Sequence, residues 1–150
     1  IRQLWRSRYM LFFQLPLLPE FTLRMGDGAG VRRLWKRWSA AAFDPRHLTA
    51  ACANFRGPGR AEAGLAYYRS FFRPHRGATW RSFRLSHRPI KVPTLVISGA
   101  EDGCIGPEIF TGMDTRLELV PGCGHFLPSE APDLIAELIL DELSAEDVRR

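Results

Sequence analysis

Residues 92–98, Val92-Pro93-Thr94-Leu95-Val96-Ile97-Ser98, are apolar and β-branched almost throughout, and Gly99 closes the run. A strand with one wet face would alternate apolar and polar residues. A continuous apolar run instead marks a strand buried on both faces of a parallel sheet. Downstream, residues 107–113 predict a short helix and residues 117–120 a second strand. Residues 132–143 predict a helix with Leu134, Ile135, Leu138, Ile139 and Leu143 on one stripe. Strand, helix, strand, helix is the order of an α/β fold. Two strands cannot cover their own faces or edges, so this segment needs the remainder of a sheet from elsewhere. The chain also opens at Ile1 inside a helical pattern and reads as a piece of a larger fold.

Upstream of residue 72 the apolar period is that of helices. Residues 1–14 carry Leu4, Trp5, Leu11, Phe12 and Phe13, and predict one helix with a buried end. Pro16 and Pro19 interrupt it, because each removes a donor and restricts the residue before it. A second helix restarts near Glu20 and stops at Gly26-Asp27-Gly28. Val31, Leu34, Trp35 and Trp38 then recur at i, i+3, i+4 and i+7, with Arg32, Arg33, Lys36 and Arg37 opposite. Asp44-Pro45 starts a further helix to about Asn54, Gly57-Pro58-Gly59 ends it, and another begins at Arg60. Residues 73–88 are basic and rich in turn formers, and read as irregular connector. Three units result: a helical part over residues 1–75, a connector over 76–91 and an α/β part over 92–150.

Composition narrows the classes. In a chain of 150 residues, 45% hydrophobic content is enough for a real core and argues against disorder. No run approaches the roughly 20 apolar residues that span a bilayer. Cys52, Cys104 and Cys123 are odd in number and lack CxxC spacing, so they read as reduced thiols of a cytoplasmic protein. The net charge of +5 raises the question of nucleic acid, but the arginines are scattered through helices and no nucleic-acid motif is present. No cofactor or metal motif survives inspection, and a homo-oligomer is left open.

Two patterns are decoys. Gly26, Gly28 and Gly30 precede a helix with Asp44 some way downstream, but the strand that a dinucleotide-binding glycine loop must follow is missing. Asp27 and Ser98 are the candidate nucleophiles of a strand-to-helix elbow, and neither lies between small residues at such a turn. A stronger pattern joins the two strand ends. Asp102 lies just past the first strand, and His125, in Pro121-Gly122-Cys123-Gly124-His125, just past the second. Ligands of open α/β sheets bind at that end. A carboxylate there fixes the imidazole tautomer and stabilises the imidazolium when the other nitrogen takes a proton. Glu101 competes with Asp102 for this role.

Four stretches in order resemble the epoxide hydrolase branch of the α/β-hydrolases. Residues 9–20, Tyr9-Met10-Leu11-Phe12-Phe13-Gln14-Leu15-Pro16-Leu17-Leu18-Pro19-Glu20, look like its first cap motif. Leu65-Ala66-Tyr67-Tyr68-Arg69 looks like the second, residues 92–102 like the strand and acid loop, and residues 121–130 like the histidine loop. The resemblance implies a helical cap followed by the last part of the hydrolase sheet, with the first strands and the nucleophile elbow missing. It also implies a small apolar epoxide as substrate, opened by an aspartate nucleophile to an ester that a His/acid pair then hydrolyses. In that scheme Tyr9 and Tyr68 hold and protonate the epoxide oxygen, Asp102 is the acid and His125 the base. Tyr67 competes with Tyr68. Without a nucleophile these residues alone are expected to turn over nothing. A dehalogenase or esterase would share the His/acid pair without needing two tyrosines, and a noncatalytic remnant is the third reading.

Overall fold

The computed structural model describes residues 2–40, 43–72, 77–86 and 88–147. In place of one N-terminal helix there are two, α1 (Arg2–Arg6) and α2 (Arg8–Phe12), separated at Ser7. The Ser7 backbone N–H still donates to the Gln3 carbonyl at 2.8 Å, and the Gln3 side chain donates to the Ser7 hydroxyl at 2.9 Å. Phe13, at the end of α2, is buried as expected. Pro16 stops the helix, and Leu17 takes a positive φ of 62°, costly for a side chain with a Cβ. Arg69 holds this turn from across the bundle. Its guanidinium donates to the carbonyls of Phe13 and Leu15 and pairs with Glu20 at 2.6 Å.

α3 (Leu18–Arg24), α4 (Ala29–Trp38), α5 (Pro45–Arg56) and α6 (Arg60–Phe71) complete the helical half. Asp44 caps α5 by accepting the Arg46 backbone N–H at 2.8 Å. Phe13, Leu23, Val31, Cys52, Ala61 and Leu65 form its core, with Tyr9 and Tyr68 packed against it. The glycines between α3 and α4 serve packing: a Cβ on Gly30 would run into the Thr22 carbonyl, so only glycine lets these helices approach so closely.

The connector is not irregular throughout. Residues Gly77–Ser86 form α7, on which Trp80 and Phe83 meet edge to face one turn apart. The many arginines hide this short apolar pair in the sequence. The rest of the predicted connector at residues 73–76 and 87 lies outside the described residues.

β1 (Leu95–Gly99) and β2 (Arg116–Val120) pair in parallel, from Leu95 opposite Arg116 to Gly99 opposite Val120. Between them the expected helix is only a 3-10 turn, Pro107–Ile109, cut short before Gly112 turns the chain at φ +86°. α8 (Leu127–Glu130) and α9 (Pro132–Asp147) follow, and Ile135 joins Val120 and Cys123 in a second core. Burial on both faces does not hold for all of β1. Leu95, Val96 and Ile97 are half-buried and only Ser98 and Gly99 are buried, because the described residues put one strand beside β1. Cys52, Cys104 and Cys123 are all free buried thiols. Among the described residues no helix is long and apolar enough to cross a membrane.

Candidate active site

Both strands end where α4 ends. A Cβ on Gly99 would collide with the carbonyls of Cys123 and Gly124, and a Cβ on Gly124 with the Trp38 carbonyl and the Ala40 nitrogen. These two glycines let the acid loop, the histidine loop and the end of α4 touch backbone to backbone. The His125 backbone N–H donates to the Trp38 carbonyl at 2.8 Å, which fixes where the ring emerges.

The imidazole meets Asp102, with Nδ1 2.9 Å from Oδ2. Asp102 is 5% exposed, and its other oxygen accepts the backbone N–H groups of Cys104 and Ile105 at 2.6 and 2.8 Å. Burial pushes this carboxyl up, but the hydrogen bonds from His125 and from the two amides outweigh it and hold it below the ordinary range. An ionised acceptor on Nδ1 leaves Nε2 free to take a proton. Glu101 is exposed, and its backbone N–H donates to the Cys123 carbonyl.

Tyr9 and Tyr68 come together from α2 and α6, rings edge to face with centroids 5.8 Å apart. Burial raises both phenols, so both hydroxyls keep their protons at neutral pH. The Tyr9 hydroxyl contacts the Cys104 thiol at 3.3 Å. Tyr67 is 65% exposed and meets the Tyr68 ring edge to face at 5.5 Å. The Trp38 ring joins the two pairs, 5.0 Å from Tyr9 and 5.4 Å from His125, both edge to face.

Behind Tyr68 and Trp38 lies a partly open cavity of about 160 Å³, walled by apolar residues including Leu34, Phe55, Leu65, Trp35 and Phe126. Those last two rings stack at 3.8 Å and bind α4 to the histidine loop. Among the described residues no group of acidic, histidine or cysteine side chains could hold a metal ion.

Sequence reasoning missed several residues that shape this site. Gln3 pairs its side-chain amide with the acid loop, donating to the Cys104 carbonyl at 2.9 Å and accepting the Gly106 N–H at 3.0 Å. Arg6 pairs with Glu108 beyond it at 2.8 Å. Glu130 accepts backbone N–H groups on either side of His125. None of these carries a sequence signal, since Gln3 and Glu130 bond backbone and Arg6 meets a carboxylate far away in sequence. Trp38 had one in part, as the last member of the α4 stripe.

No protein-family profile matches the chain. Epoxide hydrolase 3 of Mus musculus is 32% identical to it over 144 residues, which are 88% of this chain and 36% of that protein. Among solved structures, a candidate alpha/beta hydrolase from Nostoc sp PCC 7120 superposes with a TM-score of 0.76 at 23% identity. It covers 93% of this chain, which spans 50% of it. A candidate epoxide hydrolase from Klebsiella pneumoniae subsp. pneumoniae gives 0.72 at 20% identity with the same coverage. The chain thus spans half or less of the proteins it resembles. Helices over a parallel strand pair, the order of the motifs and these likenesses agree: the chain is an epoxide hydrolase-like portion of an α/β-hydrolase, consistent with the C-terminal part of that fold.

Proposed function

We propose that this chain supplies the acid, base and oxygen-binding groups of an epoxide-opening site whose nucleophile lies outside residues 1–150. A carboxylate of the longer enzyme attacks an epoxide carbon, the carbon–oxygen bond breaks, and the oxygen takes a proton from the Tyr9/Tyr68 pair. His125 Nε2 then removes a proton from water, the hydroxide attacks the ester carbonyl, the diol leaves as the carboxylate is regenerated, and the proton on His125 returns to the phenolate left by the first step. Asp102 holds the proton on Nδ1 and stabilises the imidazolium.

The observation that carries this reading is the juxtaposition, across Trp38, of two protonated half-buried phenols and a His/Asp pair. An esterase or dehalogenase would need only the second pair. The apolar cavity beside Tyr68 favours a substrate with a hydrocarbon substituent. A void of about 150 Å³ holds one benzene ring, so the favoured group is about that size. The three buried free thiols suit a reducing, cytoplasmic setting.

The test is turnover of an aryl epoxide and of an aryl ester by the longer enzyme carrying Tyr68→Phe. Loss of one proton donor lowers kcat for the epoxide by about 10²-fold and leaves ester cleavage within about twofold. An equal fall on both substrates, or none on the epoxide, overturns the epoxide reading in favour of a plain ester-cleaving site.

A further inference from the structure

Three consecutive amides of the histidine loop find partners, and two of them share one side chain. Gly124 N–H donates to Glu130 Oε2 at 2.8 Å and Phe126 N–H to Glu130 Oε1 at 3.1 Å, while the His125 N–H between them goes to Trp38. Oε2 also accepts the Ala40 N–H at 3.1 Å, from the segment that leaves α4. Both carboxylate oxygens are therefore engaged with backbone that brackets the imidazole, and one of them ties that backbone to the cap. We propose that Glu130 is a positioning residue for His125, a role that rests on the His125–Asp102 pair being the water-activating unit.

Glu130 belongs to the four-residue helix α8, and its bond from the Phe126 N–H caps that helix, but its other two partners lie beyond the cap, upstream at residue 124 and across the seam at residue 40. That separates it from a side chain that merely ends a helix. Charge-assisted bonds from two flanking amides set the height and tilt of the intervening residue. The 2.9 Å contact to Asp102 depends on that setting. A glutamine of the same shape offers one acceptor oxygen and turns an NH2 group toward a donor, so it cannot hold both sides.

The consequence is a tautomer effect. With Glu130 in place the neutral ring carries its proton on Nδ1, toward Asp102. With Glu130→Gln the ring is free to tilt and both tautomers are populated. In the longer enzyme kcat falls on the order of ten- to hundredfold; KM falls with it because the ester accumulates, and kcat/KM, set by ester formation, stays within about twofold.

Nitrogen-15 NMR of the His125 imidazole tests this, comparing the protein with its Glu130→Gln and Glu137→Gln variants, the latter on the exposed side of α9. The expected result is one Nδ1–H tautomer in the parent and in Glu137→Gln, and a mixture in Glu130→Gln with an unchanged circular dichroism spectrum. A single tautomer in folded Glu130→Gln overturns the proposal. Should that variant fail to fold, the amide shifts of Ala40, Gly124 and Phe126 in the parent decide. They move together along one carboxylate titration if Glu130 holds all three, and independently if it does not. A parent ring already mixed would instead sink the His125–Asp102 pairing itself, and the Glu130 role with it.

Discussion

The helical half and the α/β half hold themselves together differently. α2 to α6 close around a core in which Cys52, Ala61 and Leu65 are at most 1% exposed. The two-stranded sheet has a smaller core, and along α9 Ile135 is buried while Leu140 and Leu143 stay 62% and 56% exposed. Catalytic loops in α/β proteins are usually thought of as ordered by the sheet that carries them. Here both strand-end loops are also pinned from the helical side, by Gln3 on one and by Trp38 and Ala40 on the other. The geometry of the His125–Asp102 pair is thus a property of the seam between the halves.

Substitutions that distinguish the halves sharpen this contrast. Leu65→Ala removes a fully buried side chain from the helical core and is expected to cost about 2–5 kcal/mol, read from urea unfolding midpoints. Arg69→Ala comes next. It strands Glu20 and frees two carbonyls around the positive-φ turn at Leu17, at a cost of about 1–3 kcal/mol, and the Tyr9–Tyr68 contact loosens with it.

A smaller effect is set by pH in the α/β half. The folded Asp102 carboxyl titrates below its unfolded value of about 3.9, first opposed by burial and then overcome by the His125 and amide bonds. Its contribution is present in full at neutral pH and is lost as pH falls through the folded value. Asp102→Asn should therefore lose less stability than the parent between pH 7 and pH 3, measured by unfolding midpoints at both. The smallest effect belongs to Leu140→Ala on the exposed face of α9, within about 0.5 kcal/mol. A loss there comparable to that of Leu65→Ala would mean that α9 is covered, and the contrast between the halves would fall.

Elements announced by strong local chemistry were legible in the sequence. The Val31/Leu34/Trp35/Trp38 stripe places α4, Asp44-Pro45 starts α5, and the β-branched run centres β1 to within a few residues. The strand-end logic brought Asp102 and His125 together without any contact in view. Failures came where tertiary contacts override local pattern. The first helix breaks at Ser7 although its apolar pattern runs on, α7 hides its Trp80–Phe83 pair among arginines, and the 3-10 turn at Pro107 is too short for any periodicity. Glu130 and Gln3 were invisible for a related reason, since their partners are backbone amides and carbonyls that carry no sequence identity.

The central claim is that the phenol pair and the His/Asp pair serve one reaction in sequence. Intact-mass analysis of the longer enzyme carrying His125→Ala, after exposure to an aryl epoxide, tests it most directly. The account predicts an adduct equal to the substrate mass, stable because no base activates water, and absent when Tyr9→Phe and Tyr68→Phe are added. Full turnover by His125→Ala with no adduct, or an adduct that forms equally well without both phenols, would contradict it.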